Sequence, residues 1–126
     1  ACHQFQGAGA KIGPQLDGIG VRGPDRLLED LLDPNRNVDA AFRTSLLVLE
    51  DGRVITGLVR REEGATLVLA DAQGKEFQLP LAEIDTRQLS SLSLMPANLA
   101  ETIPPSDLEL LVRYLLTSRV PVAERR

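Results

Sequence analysis

The only cysteine and the only histidine of the chain stand side by side near its start, as Cys2 and His3. In the motif C-x-x-C-H, cysteine thiols form thioethers with haem vinyl groups, and the histidine that follows ligates the iron. Adjacency matters because the thioether holds the porphyrin edge while the imidazole reaches the metal from the same turn. Cys2-His3 would be the end of such a motif. We expect its first cysteine to precede Ala1, because a sequence that begins without Met is expected to be part of a longer chain.

The twenty residues that follow His3 are rich in glycine and are expected to form a loop. This segment resembles the haem-attachment region of class I c-type cytochromes, and the matching residues are Gly7, Gly9, Gly13, Pro14, Leu16, Gly18 and Gly20. The resemblance implies that the carbonyl of Pro14 accepts a hydrogen bond from the ring of His3 and orients it. It also implies that Ile12, Leu16 and Ile19 help to bury the haem.

The chain has a single methionine, Met95, within the segment SLMP. Methionine most often fills gaps in a core, but the resemblance implies that Met95 is the second axial ligand of the iron, opposite His3. His3 and Met95 are 92 positions apart, a separation that falls to the family's ordinary 46 when residues 43–88 are left out. The middle of the chain therefore has the position of an insertion.

The middle of the chain has the two-residue period of β-strands. About four short antiparallel strands are predicted, with turns at Asp51-Gly52 and Gln73-Gly74. Positive φ is expected at both residues of the first turn, and Gly57 is expected to form a bulge. The result would be a curled meander or a small barrel.

Helices are predicted on both sides of this insertion. Pro24–Asp33 has a leucine stripe and a proline in its first turn. A second helix follows Pro104-Pro105, with a capping box formed by Ser106 and Glu109. An exposed tail is expected over residues 121–126.

Taken together, these segments are similar to the planctomycete-type haem-binding domain family. The matching residues, in chain order, are the cytochrome motif, Leu27–Arg36, Asp51–Arg53, Gly57 and Ser93–Pro96. The resemblance implies an α+β fold, in which a cytochrome c-like helical core carries an inserted antiparallel sheet or barrel of about four strands. A single domain is expected over residues 1–126, with the insertion at about 42–88.

The resemblance implies electron transfer through haem c, with His3 and Met95 as axial ligands. Six-coordinate iron leaves no open position for a substrate, so no enzyme activity is expected. A redox protein, or a neighbouring domain of a larger chain, is the expected partner. An exported or periplasmic location follows from the family alone.

Two other functions are compatible with features of the sequence. The middle of the chain has the pattern of short strands and turns that is typical of SH3-like or Sm-like barrels. This pattern predicts a protein-interaction module without haem. Nucleic acid is an unfavourable partner, because the net charge is −4 and aromatic residues make up only 3% of the chain. Catalysis by a Cys2 nucleophile with His3 as its base carries little weight, since neighbouring loop residues seldom face each other. No apolar run is long enough to span a membrane.

Overall fold

The computed structural model describes residues 2–119 of the chain. The tail predicted over residues 121–126, like Ala1, lies outside the described residues.

A five-stranded antiparallel sheet forms most of the structure. Its strands are β3 (Arg43–Leu49), β4 (Val54–Glu63), β5 (Thr66–Ala70), β6 (Glu76–Pro80) and β7 (Ile84–Ser93), and their order in the sheet is β6-β5-β4-β3-β7. Strands β3, β4, β5 and β6 are joined in succession by hairpin turns. A 3₁₀ turn then leads into β7, which returns to pair with β3 at the opposite edge.

The sheet curls around one apolar cluster that receives side chains from all five strands. Its buried members are Leu47, Leu49, Leu67, Leu69 and Leu79, with Ile55, Val59, Phe77, Leu81 and Ile84 around them. Alternation along each strand directs these residues inward. Strand β5 is buried on both faces, because its other face, including Ala70, is covered by Ile12 of the N-terminal loop.

The remaining elements lie before and after the sheet in the chain. A small hairpin pairs β1 (Gln4–Phe5) with β2 (Ala8–Gly9). The helices are α1 (Pro24–Leu32), α2 (Leu99–Thr102) and α3 (Pro105–Leu116). Helix α1 buries Leu27 and Leu31, and it packs against α3, whose Leu115 is buried.

The expected α+β fold, with a cytochrome c-like helical core, is wrong. About 35% of the described residues are strand, in the five-stranded sheet and the small hairpin, and the same residues contain only three short α-helices. The physical reason is the distribution of buried leucine. The helices bury only Leu27, Leu31 and Leu115, whereas the larger cluster lies inside the sheet. The strands therefore form the principal core.

Four local predictions are also corrected. The sheet has five strands rather than four, because Ile84–Ser93 pairs with β3. In the turn after β3, Gly52 has positive φ but Asp51 does not. Helix α3 is capped at Pro104 without a side-chain hydrogen bond, so Ser106 and Glu109 form no capping box.

The bulge predicted at Gly57 is also absent from that position. This residue pairs regularly with Ser45, and the irregularity of β4 lies between Val59 and Arg61. A Cβ at Gly57 would lie 3.1 Å from Cζ of Phe77, so glycine here allows close packing instead of a bulge.

Candidate functional site

His3 is held by the backbone of its own loop. Its Nδ1 lies 2.6 Å from the carbonyl oxygen of Pro14. A carbonyl oxygen can only accept, so Nδ1 carries the hydrogen and donates it. In the neutral ring, the lone pair is then on Nε2, which is the atom that could bind a metal. The contact expected between Pro14 and His3 is thus present in the structure.

The loop from Cys2 to Pro14 closes through main-chain hydrogen bonds. The carbonyl oxygen of Cys2 accepts from the N–H groups of Ile12 (3.1 Å) and Gly13 (2.6 Å). A Cβ on Gly13 would lie 2.9 Å from Cε1 of His3 and 3.0 Å from its Nδ1. Glycine at this position therefore lets the backbone lie directly against the imidazole.

Cys2 is a half-buried free thiol that faces the outer side of the sheet. Together with Ala10 and Leu94, it packs against a buried cluster formed by Ile12, Leu58 and Ala70. Leu94 immediately precedes Met95. The segments that carry Cys2 and Met95 therefore meet at the same cluster, although they are far apart in the sequence.

Met95 is half-buried and its segment is held by two hydrogen bonds. Its N–H donates to Oγ of Ser93 (3.1 Å), and the N–H of Ser93 donates to Oδ1 of Asn35 (2.8 Å). Asn35 follows helix α1, so this side chain ties the end of that helix to the methionine loop. Sequence reasoning missed this role, although Asn35 lies within the matched Leu27–Arg36.

Two of the residues expected to bury a haem, Leu16 and Ile19, are half-buried. Leu16 donates its N–H to the carbonyl oxygen of Gln4 (3.0 Å), which keeps it beside the β1 strand. Ile12, by contrast, is 5% exposed and packs against the sheet. Its role in this structure is to join the loop to the sheet.

The C-terminal end of α3 closes the far end of the same loop. The N–H groups of Gly18 and Gly20 donate to Oγ (3.1 Å) and to the carbonyl oxygen (3.0 Å) of Ser118. A Cβ on Gly20 would overlap the carbonyl oxygen of Leu116. Glycine at position 20 therefore permits the close approach of helix and loop.

A small open cavity of about 230 Å³ lies next to His3. It is lined by Gln4, Lys11, Gly13 and Gln15. Pockets that enclose drug-sized ligands measure about 300–1,000 Å³. This cavity is therefore too small to enclose a haem by itself.

The donor set fits a haem better than a bare metal ion. In the described part of the chain, no three His, Cys, Asp or Glu side chains are grouped so that they could hold a metal ion. A haem brings four nitrogen ligands of its own and needs only one or two from the protein. Nε2 of His3 and Sδ of Met95 are atoms of the types that ligate haem iron, and the thiol of Cys2 is the group that forms a thioether with a haem vinyl.

No family model matches the chain, and no curated protein matches it. Over residues 2–119, the helices are too short and too polar to cross a membrane.

Proposed function

We propose that this chain binds a c-type haem and transfers electrons. Cys2 would form the thioether, and His3 would be an axial ligand of the iron through Nε2. Met95 is proposed as the second axial ligand. The hydrogen bond from Nδ1 of His3 to the carbonyl of Pro14 carries the proposal.

That hydrogen bond supports a metal-ligating role for a physical reason. Histidines that ligate metals generally donate the other ring N–H to a carbonyl or carboxylate, which fixes the tautomer and the ring orientation. The bond to Pro14 does this for His3. A histidine that merely lies on the surface has no need for a glycine packed against its ring, as Gly13 is here.

A bound haem would supply a one-electron ferric/ferrous couple. The chain's own residues provide its position and surroundings. Pro14 fixes the imidazole, Asn35 and Ser93 hold the Met95 loop, and the half-buried Leu16 and Ile19 offer apolar surface nearby. With both axial positions taken by protein, no substrate would bind the iron, so the chain would be an electron carrier rather than an enzyme. Its partner would be a redox protein or a neighbouring domain, in the periplasm or another exported location.

The test is haem attachment in cells. The chain is exported to a bacterial periplasm that contains haem-attachment machinery, as given and with Cys-Ala added before Ala1 to complete C-x-x-C-H. We expect a red protein whose mass includes one haem, with higher yield for the extended chain. Cys2→Ser should prevent covalent attachment in the chain as given. A folded but colourless extended chain would contradict the proposal.

A second measurement tests the ligand without attachment. Ferric haem is titrated into the purified chain and into His3→Ala, and the Soret band is followed. Loss of the iron ligand should weaken binding at least tenfold, whereas His3→Ala should leave the circular dichroism unchanged. Equal affinity of the two proteins would remove His3 from the site.

A protein-interaction module is the second candidate, and the exposed edge of the sheet favours it. Strand β7 is an edge strand of ten residues, and Leu89 and Leu92 on it are 56% and 52% exposed. Long exposed edges can accept a further strand from a partner. This function predicts that a partner protects amides of β7 from hydrogen exchange while those of residues 2–20 are unchanged.

A further inference from the structure

Strand β4 contains a bulge at Arg60. Val59 pairs with Leu69, and Arg61 pairs with Val68, so Arg60 is an extra residue between them. Such a bulge changes the direction of a side chain relative to the regular alternation. Arg60 extends to the N-terminal loop, where its Nη1 donates to the carbonyl oxygen of Lys11 (2.7 Å).

The side-chain hydrogen bond from Arg61 lowers the pKa of Glu76, and the charge of Arg60 adds to this effect at longer range. The neighbouring Arg61 binds the carboxylates of Glu63 and Glu76. Among residues 2–119, Arg60 forms no salt bridge, and its Nε is buried without a hydrogen-bond partner. Adjacent arginines of one strand therefore have different surroundings: Arg61 is neutralised at the surface, and Arg60 faces the loop.

The loop segment that Arg60 contacts also contacts His3, the candidate iron ligand. Lys11 is followed by Ile12 and Gly13, whose N–H groups both donate to the carbonyl oxygen of Cys2. Gly13 in turn packs against the ring of His3. Fixing the carbonyl of Lys11 thus restrains the loop segment against which the imidazole rests.

We propose that Arg60 is a positioning residue for His3, so that the five-stranded sheet is part of the haem site and not a separate module. This rests on the proposed haem function. Arg60 would have two effects there. It holds the Lys11–Gly13 segment in place, and its positive charge favours the reduced, less positive state of an iron bound to His3.

The first effect is tested without haem by hydrogen exchange in Arg60→Met, with Arg61→Met as the matched control. A hydrogen bond from a charged donor is stronger than one between neutral groups. We therefore expect exchange at the amides of Ile12 and Gly13 to be roughly tenfold faster or more in Arg60→Met, where 1.4 kcal/mol corresponds to a factor of ten. Arg61→Met should leave these amides unchanged. Unchanged exchange in Arg60→Met overturns the proposal.

The second effect is tested by the reduction potential of the haem-loaded chain. We expect a lower potential in Arg60→Met and in Arg60→Gln, and a value near that of the wild type in Arg60→Lys. Arg60→Gln keeps an N–H donor, so it covers the case in which Arg60→Met does not fold. If all variants bind haem and share one potential, the proposal fails while the haem function stands. If the wild type binds no haem, both are overturned.

Discussion

A Cβ atom at Gly13 would lie 2.9 Å from Cε1 of His3, so the imidazole occupies the space that any other residue at position 13 would need. We predict that Gly13→Ala displaces the ring and breaks its hydrogen bond to Pro14. Haem affinity should fall about 10–100-fold, the usual cost of losing such a partner. The measurement is haem titration, with nitrogen-detected NMR of the His3 ring.

Gly7→Ala serves as the comparison for that substitution. Gly7 has a φ of 79°, but a Cβ there would meet no atom within 4 Å. This substitution should therefore lower stability through backbone strain and leave haem affinity unchanged. Equal losses of affinity in the two variants would show that the effect of Gly13→Ala is general loosening of the loop.

Met95 offers a test of the second axial position. Met95→Leu keeps the side-chain volume and removes the sulfur, so stability should change by less than about 1.5 kcal/mol. The reduction potential of the haem-loaded protein should fall and its visible spectrum should change, because methionine ligation raises the potential. The control is Leu92→Ala, at an exposed position of the preceding strand. An unchanged spectrum in Met95→Leu would exclude the sulfur as a ligand.

Asn35 should stabilise the fold through its Oδ1, which accepts a hydrogen bond from the N–H of Ser93. Asn35→Ala leaves the N–H of Ser93 without its acceptor, and such a loss costs about 1–3 kcal/mol when the group is partly buried. Asn35→Asp retains an acceptor oxygen and should recover most of that stability. Denaturant unfolding gives the free energies, and exchange at the Ser93 amide reports the local effect. Equal destabilisation by both substitutions would contradict this role.

The ion pair between Glu76 and Arg61 should make the stability of the protein depend on pH. The side-chain hydrogen bond from Arg61 holds the pKa of Glu76 below its ordinary value. A depressed folded-state pKa means that the stabilisation is complete above the unfolded value of about 4.3 and is lost as pH falls through the folded value. Glu76→Gln should lower Tm at pH 7, and its difference from the wild type should shrink as pH falls below about 4. Glu83→Gln, at a carboxyl without an ion pair among the described residues, is the control.

A larger residue at position 20 should destabilise the protein by forcing helix α3 and the N-terminal loop apart. A Cβ at this position overlaps the carbonyl oxygen of Leu116, so Gly20→Ala should move the end of α3. Overpacking of this kind costs about 1–3 kcal/mol. Val21→Ala, at a residue 59% exposed, should change stability by less than about 0.5 kcal/mol. Similar unfolding free energies for the two variants would contradict the close contact.

The sequence was most informative where local chemistry decides the structure. Pro24 at the start and Pro34 beyond the end bounded α1, which extends from Pro24 to Leu32. The four predicted strands are present because each has apolar residues in alternation. Strand β7 was missed for the opposite reason. Most of its residues are exposed, so Ile84–Ser93 has no apolar alternation and is a strand only because it pairs with β3.

The fold class was wrong because a resemblance in short motifs says little about the dominant core. The glycine loop and the Met95 segment together involve few buried residues. The sheet contributes the large cluster around Leu47 and Leu67, and that cluster determines the architecture. Treating the strands as an insertion reversed the roles of sheet and helices.

The candidate site was predicted in part. The contact of His3 with Pro14 followed from the family motif and is present. Asn35 and Arg60 could not be found in the same way. Their partners are the N–H of Ser93 and the carbonyl oxygen of Lys11, and main-chain groups leave no trace in residue types or spacing.

The hydrogen bonds from Gly18 and Gly20 to Ser118 join residues about 100 positions apart. Contacts of such long range form late in folding, after hairpins such as β3–β4 whose ends are close in the chain. During synthesis, Ser118 leaves the ribosome only after the whole sheet has been made. The end of this loop at Gly18 and Gly20 is therefore joined to the segment after α3 only when the sheet has already formed.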